Sequence, residues 1–134
     1  MSLLSRFFLV PSRSAISVHA RNTSHTSLLV EWNPILPEYI HGVLLGYRVH
    51  FRRSNESNET YETRQTGPDV HSVRLTDLWI YTKYKIEVLG FTSAGEGNIS
   101  KEIEVSTDEF SKLSYRMKGK YVLQDNLHRQ LQSR

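Results

Sequence analysis

The chain lacks cysteine altogether, so it can form neither a disulfide framework nor a zinc site built from thiolates, and its core has to be held by packing. It also lacks any apolar run near the roughly 18 residues that a membrane-spanning helix needs. The apolar stretch over residues 3–10 is interrupted by Arg6 and is short for the hydrophobic region of a signal peptide. The sequence therefore predicts an unstructured flank over residues 1–13 and no direct membrane insertion.

The sequence patterns of known catalytic and metal sites are missing as well. The histidines are scattered without the spacing of metal ligands, and there is neither a His-Glu-x-x-His pattern nor a glycine-rich phosphate-binding loop. A nucleophile also needs a base within hydrogen-bond reach and a third group that orients the base, and nothing in the sequence suggests such a set. We therefore predict no catalytic residues, no metal, no cofactor and no enzymatic activity.

Positive charge is concentrated at the C-terminal end. The chain of 134 residues carries 17 Lys and Arg against 14 Asp and Glu, and the whole excess lies in residues 108–134. That segment interleaves tyrosines with four basic residues, namely Lys112, Arg116, Lys118 and Lys120. This pattern leaves open an alternative function as a cytoplasmic or nucleic-acid-associated fragment. Because so few charges without a folded scaffold are a weak signal, we predict a largely disordered basic tail over residues 108–134 and no nucleic-acid partner.

Between the two ends, apolar residues recur at every second position, which is the period of a strand with one buried face. Six such segments begin near Ile16, Leu28, Tyr47, Val73, Tyr84 and Ile103, and residues 60–66 form a seventh, polar segment of high strand propensity that is predicted as an edge strand. Short turns rich in Pro, Gly, Asn and Asp separate them, and no helical segment lies between them. Because connections of this kind build antiparallel sheets, the sequence predicts an all-β sandwich over residues 14–107.

Particular residues resemble one sandwich family, the fibronectin type III domains. Trp32 followed by Asn33-Pro34 resembles the tryptophan and proline of that family's signature, and residues 46–49 are similar to its third strand. Residues 84–97 follow the pattern Tyr-x-Val-x-Val-x-Ala-x-Asn-x-x-Gly-x-Gly, and Leu78 with Tyr84 fits the family's tyrosine corner. The resemblance extends to repeats of neural adhesion proteins and receptor-type tyrosine phosphatases. It implies a seven-stranded antiparallel immunoglobulin-like β-sandwich whose structural signature residues are Trp32, Tyr47, Leu78, Tyr84, Gly95 and Gly97.

Four of the six asparagines begin Asn-x-Ser/Thr sequons, which are the acceptor sites of N-glycosylation, namely Asn22, Asn55, Asn58 and Asn98. All four fall at predicted turns or strand ends, where an oligosaccharide would stay in solvent. Loops are also rich in Asn, Ser and Thr for structural reasons, so that interpretation stays open. The excess of sequons favours secretion, and with it an extracellular or cell-surface location.

The outward face of the third, edge and sixth predicted strands is the candidate partner-binding surface. Its candidate residues are Arg48, His50, Arg52, Arg64, Lys85 and Phe91. The exposed apolar candidates are Phe91, Leu89, Trp79 and Tyr81. Charges of both signs are also normal on a solvated strand face, so a passive surface is the alternative.

The resemblance implies a non-catalytic extracellular module of a larger adhesion or receptor protein. Such a module acts either as a protein-interaction domain or as a spacer that sets the distance between its neighbours. The expected partners are other adhesion or receptor ectodomains and the neighbouring domains of the same chain.

Overall fold

The computed structural model describes residues 10–57 and 60–108 and shows two antiparallel sheets packed face to face. The strands are β1 (Ile16–Ser24), β2 (Ser27–Asn33), β3 (Gly46–Arg53), β4 (Glu62–Thr66), β5 (Ser72–Leu75), β6 (Lys83–Thr92), β7 (Gly95–Glu96) and β8 (Ile103–Ser106). The sequon at Asn58 and the predicted basic tail beyond Asp108 lie outside the described residues, and both stay predictions.

The smaller sheet has the strand order β1-β2-β5, and the larger has β4-β3-β6-β7 with β8 also paired to β6. All seven predicted strands are present, and β7 is a further two-residue strand in a segment that the sequence predicts as a turn. One turn of 3₁₀ helix, Pro37–Tyr39, lies in another predicted turn. The predicted antiparallel immunoglobulin-like sandwich is confirmed.

The core lies between the sheets because alternate residues of each strand point inward. Trp32 and Tyr47 face each other there, with ring centroids 5.4 Å apart. Tyr47 is fully buried, and its hydroxyl accepts a hydrogen bond of 3.0 Å from the backbone N–H of Ile35. Aliphatic and aromatic side chains from both sheets surround this pair, namely Leu28, Val30, Val49, Phe51, Leu75, Ile86 and Val88.

Tyr84 on β6 ties its strand to the loop that precedes it. The Tyr84 hydroxyl accepts a hydrogen bond of 2.9 Å from the backbone N–H of Trp79. The adjacent Leu78 is buried, and its backbone N–H donates to the carbonyl of Thr26 in the β1–β2 turn at 2.9 Å. The loop between β5 and β6 is thereby fixed to both sheets, as the predicted tyrosine corner requires.

The packed region begins earlier than the predicted boundary at Ser14. Pro11 is fully buried, and its carbonyl accepts a hydrogen bond from the backbone N–H of Asn98 at 3.3 Å. The backbone N–H of Ser12 donates to the carbonyl of Tyr39 at 2.8 Å. A Cβ at Gly97 would lie 2.5 Å from the Pro11 ring, so the glycine of the signature is what lets this segment approach. The predicted unstructured flank is therefore wrong for Pro11 and Ser12.

Candidate partner-binding face

The candidate surface is the side of the larger sheet that points away from the core. We call it the outer face, meaning the outward side chains of β3, β4 and β6 together with Glu96 and Glu102 beside them. Since Tyr47, Val49 and Phe51 point inward, the residues between them point outward. The register pairs Arg48 with Leu89, His50 with Glu87, and Arg52 with Lys85. The structure thus brings together five of the six predicted residues, namely Arg48, His50, Arg52, Lys85 and Phe91.

Arg64 lies on the opposite side of β4. It pairs with Val49, a core residue, and residues directly opposite each other in a sheet share a face. The guanidinium of Arg64 lies 5.0 Å from the centre of the Phe51 ring at the open edge of the sandwich. The prediction that Arg64 belongs to the outer face is therefore wrong.

Phe91 and Leu89 are on the outer face, but they do not form an exposed apolar patch. Their exposed fractions are 7% and 3%. The guanidinium of Arg48 lies 3.9 Å from the centre of the Phe91 ring and covers it in a cation–π contact. The prediction that Phe91 and Leu89 are exposed is wrong, whereas Trp79 and Tyr81, in the loop before β6, are 62% and 58% exposed as predicted.

The predicted cations of the outer face already have carboxylate neighbours. The Arg48 guanidinium lies 2.8 Å from a carboxylate oxygen of Glu96, and the Arg52 guanidinium lies 3.2 Å from Glu102. The ammonium of Lys85 lies 3.8 Å from the other oxygen of Glu102. Such half-exposed pairs contribute little to stability, but they neutralise the local field. The cations that the sequence predicts on this face are therefore paired with carboxylates.

An open groove of about 690 Å³ runs over the outer face. Its lining includes His50, Tyr61, Glu87, Leu89, Glu96 and Ile99. Within the described part of the chain, Glu87 makes no hydrogen bond or ion pair, and it is the only charged side chain lining the groove for which this holds. The ring of His50, opposite Glu87, stacks on that of Tyr61 with centroids 4.3 Å apart.

Burial disfavours the charged forms of Glu87 on β6 and of His50 on β3, which lie opposite each other. It raises the pKa of Glu87 above its ordinary value; the neighbouring Glu102 carboxylate raises that pKa further and Arg52 opposes the rise. Burial likewise lowers the pKa of His50, with Glu96 opposing and Arg48 reinforcing the shift. The groove thus holds a neutral imidazole beside a carboxylate that no cation of the described chain contacts directly.

Replacing Glu87 with glutamine is expected to stabilise the domain slightly at neutral pH. A carboxyl whose pKa is raised on folding adds stability below its ordinary pKa of 4.5, and that stability is lost as the pH rises through the folded pKa. We expect a gain of at most about 0.5 kcal/mol, or roughly 2–4 °C in Tm, because solvent screens this partly exposed group.

Thermal unfolding of Glu87→Gln and the parent chain across the acidic range checks this expectation. The difference in Tm should shrink as the pH falls below the ordinary pKa of the carboxyl. Glu38→Gln is the matched control, because Glu38 is an exposed carboxylate in the 3₁₀ turn. A gain for Glu87→Gln that is the same at every pH would contradict the assigned cause.

The geometry of the sandwich agrees with comparison to known proteins. The model of the fibronectin type III domain matches residues 11–106. The chain belongs to the fibronectin type III domain family. It is 35% identical over 100 residues to cell adhesion molecule DSCAM of Gallus gallus, an alignment that covers 75% of this chain and 5% of that protein. It is 30% identical over 99 residues to receptor-type tyrosine-protein phosphatase F of Danio rerio, covering 74% of this chain and 5% of that protein.

A solved fibronectin type III domain, that of human contactin 1, has the same fold. The TM-score is 0.67 at 28% identity, and the match covers 73% of this chain and 79% of that one. The predicted resemblance to repeats of adhesion proteins and receptor-type phosphatases is confirmed. The chain spans only a small fraction of the relatives' length, so it corresponds to one fibronectin type III domain of such proteins.

Fibronectin type III domains are generally non-catalytic and are typical of adhesion and receptor proteins. Within residues 10–57 and 60–108, no group of histidine and carboxylate side chains could hold a metal ion. No helix in this same part of the chain has the length and apolar character needed to cross a membrane.

Two sequon asparagines of this fibronectin type III domain use their side chains to hold its ends. The amide of Asn22 donates to a carboxylate oxygen of Asp108 at 2.8 Å, and the amide of Asn98 donates to the carbonyl of Ser12 at 2.7 Å. In the sequon that begins at Asn98, the hydroxyl of Ser100 accepts a hydrogen bond of 2.9 Å from the backbone N–H of Val88 on β6. Both sequons therefore have a structural explanation beside glycosylation.

Asn55 differs from these two sites. It is exposed in the turn after β3, and its side chain makes no hydrogen bond with any other described residue. A glycan attached to its amide nitrogen would therefore displace nothing in the folded domain. Among the described sequons, Asn55 is the best candidate for modification.

The sequence did not identify Glu96, Glu102 or Tyr61 as part of the candidate surface. Glu96 lies opposite Phe91 through the hairpin between β6 and β7, a segment that the sequence predicts only as a turn. Glu102 precedes β8, and Tyr61 precedes β4, in segments with no apolar alternation to show which way a side chain points.

Proposed function

We propose that this domain is an extracellular interaction module of a larger adhesion or receptor protein. The proposal is supported by its similarity to a cell adhesion molecule and to a receptor-type phosphatase, each of which is far longer than the chain. Its partners are then other ectodomains and the neighbouring domains of its own polypeptide. The outer face is the surface through which the domain meets them.

The observation that carries the extracellular part of the proposal is the exposure of every described sequon asparagine. Asn22, Asn55 and Asn98 are all exposed; Asn22 lies in β1 two residues before its end, and the other two lie between strands. Asn98 is one of the residues that line the groove of the outer face, whereas Asn22 and Asn55 are not. An oligosaccharide at Asn22 or Asn55 would therefore leave the groove free to bind a partner.

Expression of the full chain behind a secretion signal in a mammalian host tests this proposal. We expect the secreted protein to lose mass when treated with a peptide-N-glycosidase, and Asn55→Gln to reduce that loss. Asn33→Gln is the matched control, because Asn33 is exposed but is followed by Pro34-Ile35 and is not a sequon. A secreted chain whose mass the glycosidase leaves unchanged would contradict the proposal.

A further inference from the structure

We propose that the groove on the outer face binds an arginine side chain, presented by an apolar extended segment of a partner protein, with Glu87 as the counter-ion. This inference rests on the proposed function in requiring a protein partner, and it deepens that function by naming the chemistry the partner must bring.

The pairing of charges determines the sign of the partner. Arg52 and Lys85 both contact Glu102, and Arg48 contacts Glu96, so every cation of the outer face has a carboxylate within ion-pair distance, whereas Glu87 has no cation that close. A partner carboxylate would compete with Glu96 or Glu102 for these cations and would lie near the Glu87 carboxylate. A partner cation would meet a carboxylate that no cation of the described chain contacts directly, since Arg52 attracts Glu87 only from a greater distance. The complementary ligand is therefore cationic, the reverse of what the basic strands suggest from the sequence.

The aromatic wall of the groove favours arginine over lysine. Tyr61 stacks on His50 and is 49% exposed. A guanidinium is planar, so it can stack on an aromatic ring while its N–H groups bind a carboxylate in a bidentate manner. The domain itself uses this contact repeatedly, with guanidinium carbons 3.6–5.0 Å from ring centres at Tyr39, Phe91, Trp79 and Phe51.

The other residues that line the groove determine which residues can flank the arginine in the partner. Ile99 lies in the wall of the groove and is 42% exposed, and Leu89 lies in its floor. In an extended segment, side chains two positions apart point the same way. Apolar residues two positions before and after the arginine would therefore face the groove together with it. The matching sequence pattern in a partner is apolar-x-Arg-x-apolar.

Titration of a short peptide into the ¹⁵N-labelled full chain, followed by nuclear magnetic resonance, tests the inference. The probe is acetyl-Leu-Ala-Arg-Ala-Leu-amide, and its control replaces arginine with citrulline, which has nearly the same shape without the charge. We expect the amide signals of His50, Glu87 and Leu89 to shift with the arginine peptide. The citrulline peptide should bind at least about fivefold more weakly, because it lacks the charge that strengthens the hydrogen bonds to the Glu87 carboxylate.

Two variants locate the contact. Glu87→Gln should weaken binding of the arginine peptide by about five- to tenfold, whereas Glu38→Gln should leave it unchanged. Raising the salt concentration should weaken binding to the parent chain more than binding to Glu87→Gln, because only the parent carries the charge pair.

Four outcomes would overturn the inference. They are equal binding of the arginine and citrulline peptides, shifts that map away from the groove, groove signals that depend on protein concentration without peptide, and contacts between residues 109–134 and the groove in the free chain. The third would assign the groove to a second copy and the fourth to the chain itself. The titration involves neither cells nor glycans, so a failure to bind the peptide would not contradict the proposed function. Conversely, a secreted chain without glycans would not contradict the proposed binding of arginine in the groove.

Discussion

Replacing Trp32 with alanine should lower the free energy of unfolding by about 3–5 kcal/mol, which is the usual effect of removing a buried tryptophan. Trp32 is 4% exposed and packs on Tyr47 between the two sheets. The chain has no disulfide that could hold the sheets together once this contact is lost. For a domain of ordinary stability the loss is a large share of the total, so we expect extensive unfolding at 37 °C.

Denaturant titrations of two further variants complete this measurement. Trp79→Ala is the matched control, because Trp79 is 62% exposed and its main contact is the Arg53 guanidinium, 3.6 Å from the ring centre. That exposed contact is worth about 0.5–1 kcal/mol. Trp32→Phe should lose less than Trp32→Ala, because the buried indole N–H makes no hydrogen bond with the described residues. Similar losses for Trp32→Ala and Trp79→Ala would contradict the assigned role of Trp32.

Replacing Gly46 with alanine should lower the free energy of unfolding by about 1–3 kcal/mol, as overpacking in a dense interior does. A Cβ at Gly46 would overlap the backbone carbonyl of Thr66 and lie 3.3 Å from the Phe91 ring. Because the first of these atoms is backbone, β4 would have to move away from β3. The variant should therefore also reduce the hydrogen-exchange protection of the β3–β4 pair.

Gly67→Ala provides the control for this second variant. Gly67 follows β4 by one residue, and a Cβ there would meet nothing within 4 Å. We expect its stability to stay within about 0.5 kcal/mol of the parent chain. If the two glycine variants were equally stable, the close approach of β4 would not explain why position 46 is a glycine.

The fold could be predicted because the buried strands carry strong alternation. Tyr84, Ile86 and Val88 show the period of two without interruption, and each of them is buried. The tyrosine corner could also be predicted, since Leu78 and Tyr84 carry it at fixed spacing. The short strand β7 could not, because Gly95 and Glu96 have low strand propensity and pair only through the tight turn that Gly95 allows with a φ of 136°.

The candidate surface was harder to predict because its contacts join distant parts of the chain. Arg48 and Glu96 are 48 residues apart, and no local pattern shows that they meet. The register of β4 was also open, since a strand made of polar residues has no apolar face to fix it, and a shift by one residue reverses every side chain. Arg64 was assigned to the wrong side for this reason. That Glu87 makes no direct ion pair follows only from knowing where every neighbouring charge lies.

The polar character of β4 has a consequence for how copies of this domain behave when crowded. The strand pairs with β3 on one side only, so its other edge leaves backbone donors and acceptors open in the described structure. Such an edge can recruit a like strand from another molecule and start a fibril. Glu62 and Arg64 set opposite charges along this edge, 3.6 Å apart in one strand. Any incoming strand would have to desolvate both of them, which disfavours cross-β pairing between copies of this domain.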